Sequence, residues 1–253
     1  MFENLKVQKF EGSNLQIIFG ILADTLHILY EDNHIIAVNK TVSDLVQKDN
    51  TGDPALDDKV KKYLREKYNK PGEAFLGVVH RIDRPVSGVV LFARTGKALA
   101  RMNKMFKEGT ITKTYWAVVK NQPPQPSGTL VHYVTRDAAK NKSFCSAEPK
   151  SAAKKAVLHY SVIGRSDRYF LLEVNLETGR HHQIRSQLAH IGCPIKGDLK
   201  YGYPRSNENG GISLHARNVR FIHPVRNEAV SITADPDTDD ALWKFFLDRM
   251  AEH

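Results

Sequence analysis

The stretch His80-Arg81-Ile82-Asp83-Arg84-Pro85-Val86-Ser87-Gly88 sets a single carboxylate, Asp83, among basic side chains. An ionised carboxylate can act as a nucleophile or a base, and neighbouring cations favour its charged form. Pro85 and Gly88 punctuate the stretch as a turn, and Val89-Val90-Leu91-Phe92-Ala93 behind them reads as a buried strand. Asp83 is therefore predicted on a bend held by core structure, a common place for a reacting group. An Asp beside Pro and Gly is also a common surface turn residue, paired with an adjacent arginine at little energetic benefit. The rest of the chain decides between the two.

Further blocks follow downstream: Lys113-Thr114-Tyr115-Trp116-Ala117-Val118-Val119, Glu177-Thr178-Gly179-Arg180-His181-His182-Gln183-Ile184-Arg185, Gly197-Asp198 with Tyr201-Gly202, and Leu214-His215-Ala216. In this order, and with the Asp83 block, they resemble the RluA family of RNA pseudouridine synthases, whose signature is H-R-L-D-R-x-x-S-G; Ile82 stands where Leu is usual. The resemblance covers about residues 26 to 233. One difference falls after the first hairpin, where the family has Lys-Pro-x-Gly and this chain has Lys40-Thr41-Val42-Ser43.

The resemblance implies a cofactor-independent enzyme in which Asp83 acts on a uridine flipped out of its RNA. Whether Asp83 attacks the base, attacks the sugar or abstracts a proton stays open. It also implies that Arg180, of the T-G-R block, holds that carboxylate ionised. Tyr115 is expected to stack beneath the base, Leu214 to wall the pocket and Arg81 to fill the space the nucleotide vacates. Arg84, Gln183 and Arg185 are expected substrate contacts. No metal site is expected, because adjacent His181 and His182 point in different directions on a helix and lack the i, i+4 spacing of zinc ligands. The alternative is a catalytically silent RNA-binding module on a synthase fold, which an assay of uridine isomerisation separates. A hydrolase using paired acids finds no second carboxylate motif.

The elements that must position these residues form a mixed α+β chain, with a central, mostly antiparallel sheet flanked by helices and an RNA-binding cleft. Residues 27–30 and 35–38 read as a hairpin. Asp53 is expected to open a basic amphipathic helix carrying Leu56, Val60 and Leu64, and Thr95 and Gly109 to bracket another. Strands are expected at Ile111–Val119, Val131–Val134, Ala156–Ile163, Tyr169–Val174, Leu214–Ile222 and Val230–Thr233. Residues 136–142, with Lys150, Lys154 and Lys155, read as a mobile basic stretch able to meet phosphate. Thr178 is expected to cap a helix from His181 to Ile191, and Thr238 a C-terminal helix turning Leu242, Phe245, Phe246 and Met250 inward. Residues 1–25 are read as a short extension, too short for a separate RNA-binding S4 module, and 26–253 as the catalytic domain.

Composition fits this reading. The 253 residues are 41% hydrophobic and 26% charged, as in ordinary folded domains. The net charge of +9 favours a polyanionic partner, here a ribosomal or transfer RNA stem-loop, through counterion release. Two cysteines without C-x-x-C spacing suggest neither a disulfide framework nor a cysteine zinc site, and fit a reducing cytoplasm. No apolar run approaches a membrane span. No obligate protein partner is evident, so a monomer is expected.

Overall fold

The computed structural model describes residues 26–48 and 52–252; the expected extension at 1–25 lies outside the described residues. The opening hairpin is β1 (Ile28–Glu31) and β2 (Ile35–Lys40). The Asp32 carboxylate holds its turn by accepting from the backbone N–H groups of His34 and Ile35. There follow α1 (Leu56–Lys67), β3 (Gly77–Val78), β4 (Ser87–Ala93), α2 (Gly96–Glu108), β5 (Thr112–Val119), β6 (Ser127–Asp137), β7 (Lys142–Ser146), β8 (Lys154–Arg165) and β9 (Phe170–Leu176). The chain ends with α3 (Gln183–His190), a 3-10 turn (Leu199–Tyr201), β10 (Leu214–Ile222), β11 (Ala229–Thr233) and α4 (Ala241–Ala251).

All eleven strands join one sheet, in the order β1-β2-β4-β10-β5-β9-β8-β6-β7, with β3 on β4 and β11 on β10. The expected mixed α+β architecture with a mostly antiparallel sheet is present, and β4 with β10 is the one parallel pair among the described residues. Side chains of a strand alternate between faces, and here both faces are covered. Ile36, Val38, Val90 and Phe92 pack with Leu56, Val60 and Leu64 of α1 and Ile184 and Leu188 of α3. Ile35, Ala37, Val89 and Leu91 face the other way, toward Ala98 and Met102 of α2. Trp243 and Phe246 of α4 join Trp116 and Val118 on a third cluster. This two-sided burial is why β2 and β4 read as continuous apolar runs. No helix among the described residues is long and apolar enough to cross a membrane.

Several boundaries differ from expectation for local reasons. Thr95 and Gly109 bracket α2 as predicted, with the threonine hydroxyl accepting from Ala98 N–H and Gly109 in the left-handed region at φ 72°. Asp53 does not open α1, which starts at Leu56 without a side-chain cap, because its carboxylate is drawn to Arg84. Asp240, not Thr238, caps α4 by accepting from Leu242 and Trp243 N–H. The buried residues of α4 are Trp243 and Phe246, while Met250 is exposed. The basic stretch 136–142 is not a loose loop. Arg136 pairs with Ser143 and Asp137 with Lys142, so it is the turn of a β6–β7 hairpin whose few apolar residues hid the second strand.

Candidate active site

The single parallel pairing gathers the site. His215 and Ala216 lie beside Ser87 and Gly88, so β4 and β10 begin at the same end of the sheet, just after the Asp83 turn and at Leu214 respectively. Tyr115 pairs with Ala216 on the next strand, bringing a third sequence block to the same place. Gly88 is obligatory there. Its φ is +114°, and a β-carbon would lie 2.3 Å from the Ala216 carbonyl oxygen. Ser87 and His215 are joined at 2.8 Å, and His215 Nε2 donates to the Ala234 carbonyl at 2.9 Å, so Nδ1 accepts from the Ser87 hydroxyl. Burial pushes the His215 pKa down to about 4, keeping this linker neutral.

The Asp83 turn is fastened from several directions. Val86 N–H closes it on the Asp83 carbonyl at 3.0 Å, and Ile212 N–H holds the Pro85 carbonyl at 2.9 Å. His80 Nε2 accepts from Leu91 N–H at 3.0 Å, and its ring stacks on Phe106. Burial takes its pKa down to about 4. Lys40, 1% exposed, donates from Nζ to the carbonyls of Thr41 at 2.8 Å and Arg84 at 3.0 Å, and burial brings its pKa down to about 7. Where the related motif has Gly, Ser43 adopts φ 73°, so the loop after Lys40 keeps a left-handed turn without glycine. Ser43 N–H donates to the Arg84 carbonyl, and Arg84 Nε donates back to the Ser43 carbonyl.

Asp83 opens onto a cleft of about 570 Å³, lined also by Tyr115, Leu214, His182 and Arg185. Its partner is Arg185, whose Nη1 donates to Asp83 Oδ2 at 2.9 Å. Arg185 is itself clamped by Asp198, through Nε to Oδ2 at 2.7 Å and Nη2 to Oδ1 at 2.9 Å. The pair is buried, and that fork geometry fixes the guanidinium plane. Tyr115 has its phenol pKa raised by burial and then by the Asp83 charge, so it stays un-ionised.

The arginine on Asp83 is thus Arg185, whereas the sequence pointed to Arg180. Arg180 precedes the helix by three residues, is exposed, and donates from Nε to the Lys155 carbonyl at 2.9 Å. The helix starts at Gln183, later than expected, because Thr178 is occupied. Its hydroxyl donates to Gln183 Oε1 at 2.8 Å and accepts from Val157 N–H. Within the first turn of α3, position 185 faces the cleft. Gln183 lines the cleft, and its amide accepts from Arg180 N–H and donates to the Val157 carbonyl. Arg84 likewise turns away from the cleft, to Asp53 at 2.8 Å. Arg81 remains exposed on the cleft wall, with Lys113, Arg136 and Arg180 as further cations around it. Asp198 and Tyr201 were visible in the sequence only as parts of a motif, and no local pattern signalled that Asp198 would clamp Arg185 from a separate loop.

The model of the RNA pseudouridylate synthase family matches residues 34–190. The chain is 33% identical over 227 residues to the tRNA pseudouridine synthase C of Yersinia pestis, covering 83% of this chain and 86% of that protein. It is 32% identical over 213 residues to an uncharacterized RNA pseudouridine synthase of Synechocystis, covering 83% of this chain and 65% of that protein's length. A ribosomal large subunit pseudouridine synthase C of Rickettsia prowazekii is 29% identical over 230 residues, 89% of this chain and 72% of that one. The solved structure of human RNA pseudouridylate synthase domain containing 4 shares the fold, with a TM-score of 0.72 at 21% identity over 90% of this chain and 96% of that chain.

Proposed function

The chain belongs to the RNA pseudouridylate synthase family, and we propose that it isomerises specific uridines of structured RNA to pseudouridine, with Asp83 as the reacting group. The observation that carries this reading is the Asp83 carboxylate, ion-paired to a clamped Arg185 at the floor of a cleft walled by Tyr115 and Leu214. The reaction breaks the bond from uracil N1 to the ribose, turns the base and joins C5 to the same sugar carbon, with the C5 proton released and one taken up at N1. It needs no redox step. An ionised carboxylate can open it by attack on the sugar, by addition to the base or by removing a sugar proton.

Arg185 donates to one oxygen of the carboxylate and leaves it aimed at the cleft. Tyr115, neutral and half-buried, offers a flat face for the uracil, and Leu214 an apolar wall that limits where the detached base can drift. A uridine stacked in a stem-loop must first be flipped out, at a cost of about a few kcal/mol. Arg81, exposed beside the carboxylate, is long enough to occupy the gap. The surrounding cations Lys113, Arg136 and Arg180 suit the phosphates on either side of the flipped nucleotide. The relatives named for transfer RNA and for the large ribosomal subunit support those RNAs as the substrate class. One chain supplies all these residues, in keeping with a monomer, and the cytoplasm is the compartment in which such RNAs are used.

The departure from the family pattern after Lys40, at Thr41 to Asp44, is what makes a silent module conceivable. That loop still reaches Arg84, through Lys40 and Ser43, so the departure gives no reason for an idle site. Mapping pseudouridines in cellular RNA with and without the gene tests the reading. Loss of particular pseudouridines from transfer or ribosomal RNA is expected, and an unchanged map would count against it.

A further inference from the structure

A second side chain aims at the same carboxylate oxygen as Arg185. His182 is 8% exposed, sits in the left-handed region at φ 51°, and holds its Nε2 3.4 Å from Asp83 Oδ2. A non-glycine residue there costs on the order of 1 kcal/mol or more, and such strain persists where surrounding contacts fix it. Here they do. Its ring stacks on His181 with centroids 3.8 Å apart, and its Nδ1 lies 3.0 Å from the Tyr201 hydroxyl.

The direction of that last hydrogen bond can be worked out. Ser143 N–H donates to the Tyr201 oxygen at 2.8 Å, and among the described hydrogen bonds His182 Nδ1 is the acceptor in reach of the hydroxyl proton, so that proton is assigned to it. With Nδ1 accepting, the proton of a neutral imidazole resides on Nε2, the nitrogen that faces Asp83. Burial keeps this imidazole neutral, its pKa pushed down to about 3. The Tyr201 ring also lies under the Arg185 guanidinium, 5.1 Å from its centre, so one tyrosine braces both groups that point at Oδ2. A separation of 3.4 Å is long for a hydrogen bond. Such contacts in a free enzyme often tighten only when substrate binds.

We propose that His182 is a positioning residue: held as the Nε2–H tautomer by Tyr201, it closes on Oδ2 of Asp83 when RNA binds. Together with Arg185 it occupies that oxygen and leaves Oδ1 as the atom that meets the nucleotide. The inference rests on Asp83 being the reacting group. It explains why an adjacent histidine pair is needed without a metal: His181 packs the ring from behind, its Nδ1 held by the Ser143 hydroxyl at 2.8 Å.

The test uses single-turnover release of tritium from RNA labelled at uridine C5, prepared from a strain lacking the gene. His182→Phe keeps a flat ring without a donor and should slow release about 10- to 100-fold, as for loss of one hydrogen bond to a charged group. RNA affinity should stay near the parental value, and the melting temperature should fall only by about the few degrees expected for a Tyr201 hydroxyl left without its acceptor. His182→Gln, which restores an N–H donor, should recover part of the rate. Tyr201→Phe should slow release in the parental background and add nothing further in the His182→Phe background, because it acts through His182. Asp83→Asn serves as the reference. If it is inactive while His182→Phe runs at the parental rate, or if the His182 and Tyr201 losses are additive, the positioning role is wrong. Parental activity from Asp83→Asn would instead overturn the underlying reading.

Discussion

Arg185→Met should damage stability and chemistry together, and a second change should pull them apart. Arg185 and Asp198 side chains are 5% and 1% exposed, so removing the guanidinium strands a buried carboxylate at Asp198 and unpairs Asp83. Breaking a buried pair by removing one partner costs about 3–5 kcal/mol. At roughly 2–4 °C per kcal/mol for a domain of this size, the melting temperature should fall by about 6–20 °C. Adding Asp198→Asn removes the stranded charge and should return a large part of that stability. Isomerisation should not return, because Asp83 still lacks its cation. Thermal unfolding and tritium release on the two variants and the parent give the answer. A double variant that regains activity along with stability would show that Arg185 only holds the fold, and an Arg185→Met protein with parental melting would refute the burial argument.

Arg180→Ala should leave the chemical rate nearly intact and act on binding, weakening RNA affinity and lowering the slope of log affinity against log salt by about 0.7–0.9, one phosphate's worth; a large loss of rate at saturating RNA would restore Arg180 to the centre. Gly88→Ala should cost at least about 3 kcal/mol, since its β-carbon would meet the Ala216 carbonyl at a positive φ, and a variant with parental denaturant midpoint would contradict the close strand approach. His80, His182 and His215 are held neutral, with pKa values near 4, 3 and 4. Between those values and about 6.5 the unfolded chain binds protons that the native state does not, so stability falls as pH falls. Three such groups give a loss of up to about 5 kcal/mol between pH 7 and 5, and His215→Gln should reduce it by about a third; urea unfolding at the two pH values checks this.

The fold was legible where one signal dominated. Apolar runs marked β2 and β4 because both faces of those strands are buried, and Thr95 with Gly109 marked both ends of α2. Signals failed where a side chain had two possible partners. Asp53 and Thr178 are good caps by type, yet Asp53 pairs with Arg84 and Thr178 with Gln183 and with Val157, 21 residues back, partners that residue type alone does not reveal. The site followed the same rule. Motifs pick out Asp83, Tyr115 and Leu214, and the parallel β4–β10 pairing accounts for their lying in one cleft. Arg180 comes from the T-G-R resemblance, and no local pattern shows that Arg185, in the first turn of α3, is the arginine that reaches Asp83.

The central claim is that Asp83 carries the chemistry and other residues carry the binding. Asp83→Asn keeps the shape and most hydrogen-bonding capacity but removes the charge and the nucleophilic or basic oxygen. Parental and variant proteins are incubated with RNA from a strain lacking the gene, and pseudouridine formation and RNA binding are measured on the same samples. Undetectable pseudouridine is expected from the variant, with RNA affinity equal to or slightly above the parent, whereas parental levels of pseudouridine would show that Asp83 does not carry the chemistry.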